Sequence, residues 1–172
     1  MHKADRYDSL INFYATKYRL NPKLIKSQVL AESDCNPEAT SPVGAVGLMQ
    51  FMEGTWKDFG NGDRTNPEAS IEAGCKYMRS MLESFDEIPD MNERYKFALA
   101  SYNAGKGNIN KLLSKARESE GLPSRFQTWK SEGSKTGKWQ TWEYASKYLP
   151  YITGKNSKET LQYVDKILKV KE

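Results

Sequence analysis

A carboxylate stands where a helix face should be apolar. Asn21-Pro22 places an N-cap residue before a proline at the first helical position, and Ile25, Val29 and Glu32 follow at i, i+4 and i+7. That spacing puts Glu32 on the face that faces a core. A carboxylate there loses hydration, which disfavours its charged form and raises its pKa. An acid that stays protonated near neutral pH donates a proton to a leaving-group oxygen. A second reading stays open beside this one: a helix-end glutamate turned to solvent where the helix finishes at Asp34-Cys35.

Two further stretches carry groups suited to a ligand. Gly44-Ala45-Val46-Gly47-Leu48-Met49-Gln50-Phe51-Met52 sets two glycines around a short apolar segment, then a glutamine and two methionines. Glycines permit close approach of backbone to a ligand, and Gln50 offers the donor and acceptor that sugar hydroxyls and acetamido groups need. The same segment also reads as a helix start whose Leu48, Phe51 and Met52 are simply core. Ser101-Tyr102-Asn103-Ala104-Gly105 brings a tyrosine and an asparagine to a helix end before a glycine cap, which is equally a plain helix termination.

The elements that must hold these residues read as helices. Asn66-Pro67 repeats the N-cap and proline signal, and the segments near 22–34 and 67–85 carry Leu24, Ile25 and Val29, and Ile71, Tyr77, Met78, Met81 and Leu82, at helical spacing. Further helices are expected at about 7–19, 47–59, 93–104, 107–119 and 157–170. Asn156 with Glu159 forms a capping-box pattern before the last of them. Residues 36–46 read as an ordered surface loop. Residues 121–141, punctuated by Phe126, Trp129 and Trp139, read as a long excursion with little regular structure. The pattern is mainly α, with one domain over residues 1–172.

With 38% hydrophobic and 28% charged residues the chain can bury a core, which sets aside disordered and fibrous classes. It has no apolar run long enough for a membrane-spanning helix. The start, Met1-His2-Lys3-Ala4-Asp5-Arg6, leads into no apolar region and does not read as a secretory signal. A substrate outside the cytoplasm would then require another route: a removed leader, a larger parent protein, a phage particle or a holin-type pore. Residues 1–105 hold 12 Lys/Arg against 15 Asp/Glu, and residues 106–172 hold 14 against 7. A basic second part suits a polyanionic surface such as a cell wall, or reads as solvated lysines on helix faces. Cys35 and Cys75 match no metal pattern; they are two buried thiols or a disulfide pair.

Taken in order, Glu32-Ser33, Asn36-Pro37 with Ala39 and Ser41, Gly44 to Gln50, Tyr102-Asn103-Ala104-Gly105, and Glu159-Thr160 with Tyr163-Val164 resemble the soluble lytic transglycosylase domain, related to goose-type lysozymes. The resemblance runs from about residue 20 to 168, leaving 121–150 unmatched. It implies an α-helical, lysozyme-like fold with a groove for alternating N-acetylglucosamine and N-acetylmuramic acid, and Glu32 as the single catalytic acid/base. It puts Ser41 near the reacting muramoyl unit, and Gln50 and Met52 along the groove. Tyr102 and Asn103 would shape the floor, and Glu159 and Tyr163 would face the centre from the last helix, with the capping role of Glu159 as the alternative. Cys35, Glu53 and Ser101 depart from the family pattern, which more often has an aromatic, a proline and an alanine there.

The implied activity is cleavage of the MurNAc-β-1,4-GlcNAc bond of peptidoglycan, at the cell wall, with 1,6-anhydromuramoyl ends. No metal or cofactor is expected, and the chain is expected to act as a monomer. A hydrolase (muramidase) on the same fold and a non-catalytic wall-binding module are the alternatives. Nucleic acid is not an expected partner, because no nucleic-acid motif accompanies the basic second part.

Overall fold

The computed structural model describes residues 2–126 and 135–169. Their regular elements are helices: α1 (Asp8–Lys17), α2 (Pro22–Ser33), α3 (Glu53–Phe59), α4 (Pro67–Ser84), α5 (Met91–Ala104), α6 (Lys106–Ser119), α7 (Trp142–Ala145), α8 (Pro150–Thr153) and α9 (Ser157–Leu168). Short 3₁₀ turns join several of them, and three residues, Thr40, Val46 and Phe51, make isolated β-bridges. The chain forms two compact units, one reaching to Ser80 and including residues from Lys166 onward, the other Met81–Asp165.

In the first unit α1 packs on α2. Ile11, Ala15, Leu24, Ile25 and Val29 are buried, joined in the unit's core by Leu48, Met49, Ile71 and Met78. The Asn21 side chain accepts from the Lys23 N–H at 2.9 Å, as the N-cap signal requires, with Pro22 in the first turn. Ser27 and Ser33, both buried on α2, return their hydroxyls to the Lys23 and Val29 carbonyls of the same helix. Lys26 Nζ bridges Asp5 and Asp8 at 2.7 and 2.9 Å, tying the N-terminal turn to α2. Arg79 donates to the Tyr18 carbonyl at 2.8 Å and also to that of Arg19, which closes the α1–α2 turn.

The helix expected over 47–59 begins six residues later. Val46 exchanges backbone hydrogen bonds with Phe51 at 3.0 and 3.1 Å, so residues 46–51 form a tight turn. Gly47 and Gln50 take positive φ of 92° and 52°, which interrupts any helix, and Met52 is the extended N-cap of α3.

In the second unit α5 packs on α6. Phe85, Phe97, Leu99, Ile109, Leu112, Ala116 and Leu149 are buried. Phe97 meets Trp142 edge to face at 5.3 Å. Asp90 caps α5 by accepting from the Asn92 and Glu93 N–H groups, so that helix starts two residues earlier than its apolar pattern suggests. Arg117 is buried, 1% exposed. Its guanidinium stacks 4.4 Å from the Trp139 ring centre and donates to the Pro123 and Arg125 carbonyls. Burial lowers its pKa, while Glu87 and Glu120 oppose that shift. The Glu120 carboxylate accepts from the Lys138 and Trp139 N–H groups at 3.0 and 2.9 Å. The expected excursion is therefore anchored at both ends and followed by α7 and α8. Trp129 lies outside the described residues.

Both cysteines are buried and free, not joined. Burial pushes the Cys75 thiol up to about 12, and raises that of Cys35 as well. Among the described residues no helix is long and apolar enough to cross a membrane. The described lysines of residues 106–169 are exposed, so the excess charge of the second part is largely solvated lysine, with Arg117 the exception.

Candidate active site

Glu32 lies half-buried in the last turn of α2, one residue before the helix's final Ser33, with Ile25 and Val29 fully buried on the same face. Asp34 and Cys35 then adopt left-handed φ of 52° and 63°, and the chain reverses directly after the glutamate. The Asn36 side chain accepts from the Glu38 N–H at 3.0 Å and starts the loop that leads to the glycine-rich segment.

That loop is braced by side chains that bond to backbone. Ser41 Oγ accepts from the Ala45 N–H at 3.0 Å, while Ser41 and Ala45 also pair through their backbones. Gln50 Nε2 donates to the Ala39 and Gly47 carbonyls, both at 3.0 Å. Both N–H groups of Gln50 are thereby engaged in holding the loop, and its carbonyl oxygen is what remains for a ligand. Arg64 reaches the Gly44 carbonyl at 3.0 Å and that of Phe51 at 2.8 Å, and Ser70 Oγ accepts from the Met49 N–H at 3.1 Å. Gly47 is required at its position: a Cβ would lie 2.1 Å from the Arg64 carbonyl oxygen. Met52 is 44% exposed at the end of this turn, an apolar side chain left on the surface.

Among the candidates of the second unit, Asn103 and Glu159 meet directly. Asn103 Nδ2 donates to Glu159 Oε1 at 3.3 Å, and Thr160 Oγ1 donates to Asn103 Oδ1 at 2.7 Å. The Glu159 carboxylate of the capping-box pattern is thus engaged by α5. Asn103, Glu159 and Thr160 line a polar cavity of about 320 Å³ whose wall is continued by Asn108, Thr153 and Asn156. Gly105, with φ 94°, ends α5 just after Asn103. Tyr102 is half-buried, and Tyr163 is 9% exposed, with Val164 beside it buried.

Glu32, Ser41, Gln50 and Met52 belong to the first unit, and Tyr102, Asn103, Glu159 and Tyr163 to the second. Sequence reasoning missed Arg64 and Ser70, whose contacts to the loop have no short-range signature. It also passed over Thr160 as a site residue, although its place beside Glu159 in the final block offered a signal. Among the described residues no cluster of three or more His, Cys, Asp or Glu could hold a metal.

The transglycosylase SLT domain family matches residues 9–123, a stretch that contains Glu32, the braced loop and Asn103. The chain belongs to this family. A membrane-bound lytic murein transglycosylase F from Shewanella halifaxensis is 39% identical over 132 residues, which are 76% of this chain and 27% of that relative. The chain thus spans about a quarter of the length of that relative. The 70 kDa soluble lytic transglycosylase of Escherichia coli matches at 25% identity with a TM-score of 0.64, over 96% of this chain and 23% of the other. A complex of the 70 kDa soluble lytic transglycosylase with bulgecin A matches over the same shares, also at 25% identity, with a TM-score of 0.69. The helical fold is accordingly the lysozyme-like fold of the SLT domain, as the motif blocks implied.

Proposed function

We propose that this SLT domain cleaves the glycan strands of peptidoglycan at the MurNAc-β-1,4-GlcNAc bond and leaves 1,6-anhydromuramoyl ends. The observation that carries this reading is the family match running through Glu32, a carboxylate half-buried at the end of α2 and followed at once by a braced loop. A half-buried acid at a helix end, followed in sequence by a loop braced on its own backbone, suits proton transfer to a bridging oxygen.

In this reading Glu32 first gives its proton to the glycosidic oxygen as the C1–O bond breaks. The 2-acetamido group of the sugar supports the positive charge that develops at C1. Glu32, now ionised, takes the proton of the same sugar's 6-hydroxyl, whose oxygen attacks C1 and closes the anhydro ring. The proton returns to Glu32 and no water is consumed. An internal hydroxyl has a high effective concentration, so one carboxyl group serves where other glycosidases use two.

Ser41 and Gln50 act in this scheme by holding the loop that follows α2, with the Gln50 carbonyl oxygen and the exposed Met52 turned to the glycan. Asn103 and Glu159 offer hydrogen bonds to a sugar of the strand at the cavity they line, with Tyr102 and Tyr163 on the same two helices. The partner is the glycan strand and the site of action the cell wall. Purified sacculi incubated with the chain should release muropeptides lighter by one water than hydrolysis products. Release of reducing muramoyl ends alone would replace this reading with a hydrolase.

A further inference from the structure

The amide of Asn103 is oriented by its two neighbours. A carboxylate accepts hydrogen bonds and does not donate them, so the Asn103 group 3.3 Å from Glu159 Oε1 is the NH₂. The opposite flip would set two acceptors face to face. With Oδ1 then turned to Thr160 at 2.7 Å, the threonine hydroxyl must be the donor. A hydroxyl within a helix often returns to the carbonyl four residues back, as Ser27 and Ser33 do in α2. Thr160 instead reaches across from α9 to α5. It is 2% exposed, on the wall of the cavity that Asn103 also lines.

We infer that Thr160 is a positioning residue for the reaction: by holding Asn103 Oδ1 it fixes which edge of the amide meets the glycan. This rests on the proposed glycan-cleaving function. Glu159 Oε1 takes one N–H of Asn103 and Thr160 takes the carbonyl. The second N–H of Asn103 and Oε2 of Glu159 are then a donor and an acceptor for the sugar at the cavity they line. Without the Thr160 hydroxyl, the amide turns more freely and presents its donor for part of the time only.

The test measures turnover of purified peptidoglycan and thermal midpoints for the full chain and for Asn103→Ala, Thr160→Val, Thr160→Ser and the Asn103→Ala/Thr160→Val pair. Thr160→Val should slow turnover about tenfold while lowering the midpoint by no more than about 5 °C. Thr160→Ser should recover most of the rate. The double variant should be no slower than Asn103→Ala alone, because Thr160 acts through Asn103. If Val does not fold, Thr160→Ala carries the same expectations. Wild-type turnover in the folded hydroxyl-less variant overturns the inference, as does a double variant slower than Asn103→Ala by the full Thr160→Val factor. Failure of the underlying function reads differently: Glu32→Gln would then retain turnover, whatever occupies position 160.

Discussion

Ser41, Gln50 and Arg64 direct their polar atoms at backbone, whereas Asn103, Glu159 and Thr160 direct theirs at one another around an open cavity. The first arrangement fixes the course of a loop through left-handed residues that would not hold unaided. The second leaves the helices as they are and fixes the orientation of one amide. Damage to the first should therefore be read mainly in folding stability. Damage to the second should be read mainly in turnover.

The sharpest way to break that contrast is Gly47→Ala. The substitution meets both a φ of 92° and a backbone oxygen 2.1 Å from the new Cβ. It should cost on the order of 3 kcal/mol in urea unfolding, and a loss below about 1 kcal/mol would mean the turn is not held as described. Gln50→Ala comes next. Losing two N–H donors to the Ala39 and Gly47 carbonyls should cost about 2 kcal/mol. Gln50→Glu, which cannot donate, should fall with it, whereas a role confined to the sugar would lower turnover and leave stability alone.

The sealed interior of the first unit also predicts a pH effect. Cys75 holds its proton up to about 12 in the folded chain against an ordinary value near 9. The unfolded chain therefore ionises first, and the contribution is complete below pH 9 and lost as pH rises from there toward 12. The loss from this one thiol should reach about 1 kcal/mol near pH 10. Urea unfolding of Cys75→Ala should lack that part of the alkaline slope; an unchanged slope would mean that the thiol is not sealed. The smallest effect belongs to the second unit. Ser101 Oγ is buried next to Tyr102 in the chain without a hydrogen-bond partner. Ser101→Ala should change stability by less than about 0.5 kcal/mol or raise it slightly. A clear loss would reveal a bond that the present geometry lacks.

Much of the helical frame is legible in the sequence. Asn21-Pro22 and Asn66-Pro67 marked the starts of α2 and α4 because a cap side chain and a fixed proline φ are local properties; the caps form as expected, with Asn66 Oδ1 accepting from the Ala69 N–H at 2.9 Å. The start of α3 is not legible, because Leu48 and Phe51 fit helical spacing while the turn they occupy is fixed by Arg64, distant in sequence. Arg117 is indistinguishable in sequence from the solvated lysines around it, since its burial depends on Phe126 and Trp139 of the excursion itself. Periodicity puts Glu32 on the α2 face of Ile25 and Val29, where it is half-buried, while its catalytic role is what the resemblance implies. Gln50 is expected along the groove, and the sequence cannot say that its side-chain donors are taken by the backbone of its own loop.

The most direct measurement is mass spectrometry of muropeptides released from purified sacculi by the full chain and by Glu32→Gln, with circular dichroism confirming that both are folded. The unaltered chain should release anhydro-ended fragments, and the variant, which keeps the shape of the side chain but cannot give or take the proton, should release essentially none. Anhydro fragments appearing at comparable rates from Glu32→Gln would contradict the account.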